Sequence, residues 1–242
     1  MCPSAISYDS TFQELADQLN PGYFYAGTVY FTSTGDFTKA TYPWLRAVKV
    51  DVVGGGGAGA GTAATGAGEM ALGAGGSSGG RSIGWHLATA LGATETATVG
   101  AGGVAGTGDG GTGGNSSFGT LVTAMGGPGG LTLAPTTDSP NFVGSNAIAS
   151  AGTGNMLALR GNPGGVAHGV AGARVISGSG ALSPIGAGAP RGRKAAVTGW
   201  DGVTAEAYGP GAGGSGACSL GNQAAREGGT GASGIVIVEL YA

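Results

Sequence analysis

All but three of the 57 glycines in this 242-residue chain lie between residues 54 and 234, so nearly a third of that stretch has no side chain to bury. The same stretch carries only five aromatics, Trp85, Phe118, Phe142, Trp200 and Tyr208, whereas residues 1–53 carry ten. Side-chain burial is the main favourable term in folding, and a stretch this poor in side chains cannot rest on it. It has to pack backbone against backbone or stay disordered, because glycine loses the most conformational freedom on folding. The two parts of the chain therefore fold by different physics.

The glycines fall in islands at residues 54–61, 73–80, 100–114, 126–130, 161–165, 209–216 and 228–234. Within an island they recur at i+3, as in Gly73, Gly76 and Gly79, or Gly100, Gly103 and Gly106, or Gly228, Gly231 and Gly234. The phase is not carried from one island to the next, which excludes collagen. A spacing of three matches a three-residue left-handed helix of the polyproline type, whose backbone groups point outward and need partners on neighbouring segments. The expectation is a polyglycine II helix bundle. The apolar stretches between islands, residues 118–125 (FGTLVTAM) and 155–159 (NMLAL), argue for order over disorder.

Around the islands the sequence reads as β. Residues 28–32 (TVYFT), a turn at 33–36, residues 47–53 (AVKVDVV) with alternating valines, and the β-branched run 234–241 (GIVIVELY) are predicted strands. The last is expected to pair with the strand ending at Val53, closing the glycine-rich stretch as one excursion between two adjacent strands. Before them, Ser10 as cap with Gln13 three residues on, and Phe12, Leu15, Ala16 and Leu19 on one face, predict a short helix stopped by Asn20, Pro21 and Gly22. So short a helix needs a partner surface. Residues 1–26 are thus read as an attachment segment with Phe12, Leu15 and Leu19 as its anchors, and residues 27–242 as the main domain. The expected fold class is mainly β with a glycine-rich polyglycine II helix bundle, a short N-terminal helix and little other α.

Charged residues make up 10% of the chain and the net charge is −3, against about 25% charged in ordinary soluble domains. Only Arg191, Arg193 and Lys194 form a basic cluster, so no nucleic-acid partner is expected. Asp9, Glu14 and Asp17 interrupt the start of the chain, which excludes a cleavable leader and a spanning helix there; a protein made in the cytoplasm with no membrane insertion is expected. Cys2 and Cys218 stand alone, so neither a disulfide framework nor a metal site is predicted. Residues 50–64 (VDVVGGGGAGAGTAA) imitate a dinucleotide-binding turn, but glycines at 66, 68, 73, 75 and 76 would break the helix that such a site requires, so no cofactor is expected. His86 and His168 have no nucleophile motif beside them, and nothing pairs any two of Asp109, Asp138, Asp201 and Glu206, so the chain is not expected to be an enzyme. What remains are the aromatic and polar groups between islands, Trp85, His86, Asn141, Phe142, Arg191, Arg193, Trp200 and Tyr208, of the types that dominate binding surfaces when held on rigid loops.

Three passages carry a resemblance to a known family: residues 35–59 (GDFTKATYPWLRAVKVDVVGGGGAG), 113–130 (GGNSSFGTLVTAMGGPGG) and 208–241 (YGPGAGGSGACSLGNQAAREGGTGASGIVIVELY). Together they resemble the glycine-rich tail-fibre and adhesin domain of bacteriophages. That resemblance implies a virion tail protein, a fibre tip built as a homotrimer, tail or baseplate proteins as partners, and loops between islands that select a bacterial surface receptor, whether saccharide, pilus or outer-membrane protein.

Overall fold

The β-branched residues pair as their alternation predicts. The computed structural model describes residues 22–144, 147–195 and 199–242; the expected N-terminal helix and its anchors Phe12, Leu15 and Leu19 lie outside them. Among these described residues, sixteen strands form four antiparallel sheets. In the first, β1 (Tyr25–Phe31), β16 (Ile235–Tyr241), β3 (Ala47–Val53), β5 (Arg81–Leu87) and β11 (Leu157–Leu159) lie side by side in that order. Its central register runs from Ile235 opposite Val53 to Tyr241 opposite Ala47, so the chain's final strand does pair with the strand that ends at Val53. The second sheet is β2 (Gly35–Thr38), β6 (Thr94–Thr98), β7 (Ser116–Phe118) and β8 (Val122–Ala124).

These two sheets pack face to face. Val48, Val50 and Val52 of β3, and Val236, Val238 and Leu240 of β16, all point inward with Phe37, Ala97, Phe118, Val122 and Ala124 from the second sheet. Period-two alternation puts Val48, Val50 and Val52 of β3 and Val236, Val238 and Leu240 of β16 on that face, while Lys49, Asp51, Ile237 and Glu239 fall on the opposite one. Phe37 and Phe118 meet edge to face at 5.6 Å.

The other two sheets form a second, smaller sandwich. One is β15 (Cys218–Leu220), β4 (Met70–Gly73) and β9 (Thr132–Thr136); the other is β10 (Asn141–Val143), β12 (Ala167–Val170), β13 (Arg174–Ile176) and β14 (Arg193–Ala195). Met70, Leu72, Cys218 and Leu220 from the first meet Ala167 and Val175 from the second.

Between the sandwiches lies the glycine-rich layer, and here the sequence expectation is corrected. The chain is not a polyglycine II helix bundle. Among the described residues the only helical geometry is three single 3₁₀ turns, Lys39–Thr41, Ala88–Ala90 and Glu206–Tyr208, and the regular structure is β throughout. The physical reason is that each island is short and bounded by residues that pair into sheets, so the strands set the architecture and the glycine segments run extended between them. Their backbone groups are satisfied laterally. In residues 54–62, Gly54, Gly57 and Ala60 donate to the carbonyls of Gly80, Ser77 and Ala74; Gly55, Ala58 and Gly61 donate to Gly114, Gly111 and Gly108; Gly56, Gly59 and Thr62 donate to Ala232, Gly229 and Arg226. Three antiparallel neighbours are each visited every third residue. In return, Gly103, Gly127 and Gly214 donate to the carbonyls of Gly56, Gly55 and Gly57. Residues 54–62 and 70–80 are buried along their whole length. A Cβ at Gly56 would stand 1.9 Å from the Ala212 carbonyl oxygen, and one at Gly75 would stand 1.8 Å from that of Ser179, so at these points only glycine admits the neighbouring backbone.

Candidate functional site

The layer gives the molecule two ends. Residue 54 starts where β3 stops, and the pairing of Ala60 with Ala74 and Ala217 places β4 and β15 at the opposite side of the layer. Both described termini sit at the outer tip of the first sandwich, where Phe24 and Ala242 exchange two backbone hydrogen bonds at 3.1 and 2.9 Å. β1 starts at Tyr25, so residues 22–26 reach directly into this sheet.

Trp85 belongs to the terminal end. Its ring centroid is 4.7 Å from that of Tyr241 and 5.3 Å from that of Tyr23. The Arg46 guanidinium lies 5.3 Å from the Tyr23 ring centre and donates to the Gly22 carbonyl at 3.4 Å. Trp85 therefore fastens the point at which residue 22 joins the sheet. Its neighbour His86 alternates to the inner face, opposite Val48. The His86 Nε2 is buried and has no hydrogen-bond partner among the described residues; burial depresses its pKa below the ordinary imidazole range, against the opposing pull of Glu95. On the outer face, Lys49 pairs with Glu239 at 2.9 Å, and Arg81 Nε donates to Asp51 Oδ1 at 2.9 Å. Burial pushes the Glu239 carboxyl up, but hydrogen bonds from Lys49 and Tyr241 and the Lys49 charge bring it below the usual carboxylate range.

The β10, β12, β13, β14 sheet, at the other end, holds Asn141, Phe142 and Arg193. Phe142 stands opposite His168, which stands opposite Ile176. These share the outer face, because Ala167, Gly169 and Val175 alternate to the core side. Phe142 is 64% exposed, with its ring 6.1 Å from that of His168. The Asn141 side chain turns back to accept from the Phe142 N–H at 2.9 Å. Arg191 is exposed just ahead of β14, and β14 places Arg193 in register with Ile176. Trp200 bridges to Cys218 through the backbone and lays its ring over Gly192. Tyr208 is elsewhere, half-buried against the alanine cluster of Ala189, Ala205, Ala212 and Ala232 on the flank of the layer.

The eight candidate residues thus split. Asn141, Phe142, Arg191, Arg193 and Trp200 gather on the far sandwich, Trp85 and His86 lie at the terminal end, and Tyr208 lies on the flank. Sequence reasoning passed over Arg174, which occupies the same face as Phe142 and His168. The signal that would have found it is the absence of any Asp or Glu between residues 139 and 200. Among the described residues, no group of three or more His, Cys, Asp and Glu is placed to hold a metal ion, and no helix is long and apolar enough to cross a membrane.

Two β-sandwiches spaced by a backbone-bonded glycine layer define a glycine-rich, mainly β class of protein. Residues 32–241 match the family model of the glycine-rich domain, and the chain belongs to that family. No curated protein is significantly similar to it.

Proposed function

We propose that this chain is a bacteriophage tail-fibre or tail-tip receptor-binding protein, a non-enzymatic virion component that holds a particle to the bacterial surface. Residues 1–26 join it to tail or baseplate proteins, and the segments between glycine islands meet the receptor. The observation that carries this reading is polarity: both described termini lie at one end of the layer, while exposed Phe142 and Arg191 are on the other. A spacer whose interior is backbone hydrogen bonding resists deformation, as a load-bearing link to a cell must. Assembly as a homotrimer would add weak contacts by multivalency.

The test is binding of fluorescently labelled full-length protein to host bacteria and to a non-host strain. Host-selective binding is expected, retained in Trp85→Ala and lost in a Phe142→Ala, Arg191→Ala double variant with an unchanged melting curve. Absence of binding by folded, assembled protein favours the alternative, a purely structural virion fibre or decoration in which the layer is only a stiff spacer.

A further inference from the structure

Charge is distributed unevenly along this chain. No Asp or Glu occurs from residue 139 to residue 200, yet that stretch holds Arg160, Arg174, Arg191, Arg193 and Lys194, half of the protein's ten Lys and Arg residues, and His168. The chain as a whole is acidic, with a net charge of −3, so the stretch runs against the rest of the molecule. Folding concentrates the effect. Arg160 stands apart after β11, but Arg174 is on β13, Arg193 and Lys194 are on the adjacent β14, and Arg191 lies two residues ahead of it.

The cations elsewhere are engaged. Lys49 pairs with Glu239, Arg81 with Asp51 and Arg226 with Asp201; Lys39 donates to the carbonyls of Ala88 and Leu91, and Arg46 lies over Tyr23. By contrast, Arg174 and Arg191 are exposed and form no ion pair among the described residues. The carboxylates closest in sequence, Asp138 and Asp201, flank the stretch, and Asp201 is held by Arg226 at 3.4 Å. The same sheet face presents Phe142, 64% exposed, beside His168. An exposed ring and uncompensated guanidinium groups carried by one sandwich offer two complementary modes of contact: stacking for the apolar face of a sugar ring, and bidentate hydrogen bonding for carboxylate or phosphate.

We propose that the outer face of the β10, β12, β13, β14 sheet, together with the segment that leads into β14, is a binding site for an acidic saccharide, with Phe142 and His168 as the ring platform and Arg174 and Arg191 as the anion contacts. This rests on the receptor-binding reading and names the ligand class of that surface. Acid groups of either kind, uronate carboxylates or the phosphates of a phosphorylated glycan, satisfy the same chemistry.

The experiment is biolayer interferometry of the full-length protein against four immobilised polymers: polygalacturonate for carboxylate, a poly(glycerol phosphate) glycan for phosphate, neutral dextran, and single-stranded DNA. Binding to at least one acidic saccharide is expected, stronger than to dextran or DNA and weakened by salt. Arg174→Glu and Arg191→Glu are each expected to weaken it by about tenfold or more, and Phe142→Ala by roughly fivefold. The carboxylate and phosphate arms decide which acid group is read. Equal binding to DNA would show a general polyanion surface and overturn the proposal. So would failure to bind either acidic saccharide, or full binding by Arg174→Glu. These residues are exposed, so unchanged melting curves keep the variants interpretable. If the protein binds host cells but neither acidic polymer, this inference fails while the receptor-binding reading stands; if it binds no cells, that reading itself fails.

Discussion

In the terminal sandwich, sheet register satisfies the backbone and side chains fill the interior; in the glycine layer, the backbone is itself the filling. Val50 and Phe118 are fully buried between two sheets that pack through their side chains, the ordinary spacing of face-to-face sheets being about 10 Å. At Gly56 and Gly75, neighbouring segments of the chain approach so closely that a single methyl group would overlap a carbonyl oxygen. The first kind of interior tolerates volume-conserving exchange among apolar residues. The second tolerates none, because backbone has no rotamer with which to give way. Glycine is here a packing residue first and a flexible one second.

The comparison breaks most sharply at the layer. Gly75→Ala is expected to cost more than about 4 kcal/mol, the range of exceptional single-site losses, and to abolish cooperative unfolding in urea. A near-native midpoint would mean that the layer is looser than its hydrogen bonds imply. Phe118→Ala, in the sandwich, is expected to cost about 3–5 kcal/mol while leaving the protein folded and the denaturant slope unchanged. Asp51→Asn removes a partly buried charge partner of Arg81, whose pKa the Asp51 hydrogen bond and charge raise against the opposing effect of burial; a loss of about 1 kcal/mol in the same assay is expected.

A smaller effect separates the regions by pH. The His86 pKa is depressed in the folded state, so between the folded and unfolded values the unfolded chain binds more protons. Its contribution is therefore intact above the ordinary imidazole range and is lost as pH falls from that range through the lower folded value. Melting curves across this window should show the decline, and His86→Gln should remove it. Smallest of all is Gly106→Ala: nothing lies within 4 Å of the added methyl, and a change within about 0.5 kcal/mol is expected by denaturation. A large loss there would mean that glycine is needed throughout the layer and not only where segments touch.

Much of the strand framework was legible beforehand. Valine alternation in residues 47–53 and the β-branched run 234–241 announced β3 and β16, and their adjacency followed from their flanking a stretch too poor in side chains to form a sheet core of its own. The three-residue recurrence of glycine was legible as well, but its meaning was not: the same recurrence that suggested helices is spent on lateral bonding between extended segments that rotate among three neighbours. Periodicity reports which backbone positions must be approached closely, without stating the conformation that brings them together. The second sandwich was largely hidden, because β10, β13, β14 and β15 are three residues each, too short for any alternation to register.

The candidate site divides in the same way. Residue type alone picked out Phe142 and Arg191, and it picked out Trp85 with equal force. Only the tertiary structure separates them, since Trp85 packs between Tyr23 and Tyr241 at the terminal end whereas Phe142 stands open beside His168 on the far sandwich. The sequence by itself determined that the chain must bury backbone in place of side chains, that the strands at 47–53 and 234–241 must frame this interior, and that residues 139–200 carry only positive charge. Which segments lie beside residues 54–62, and which aromatics share a face with the arginines, were decided by the tertiary structure, because glycine segments carry no side-chain pattern to select their neighbours and are placed by the sheets at their ends.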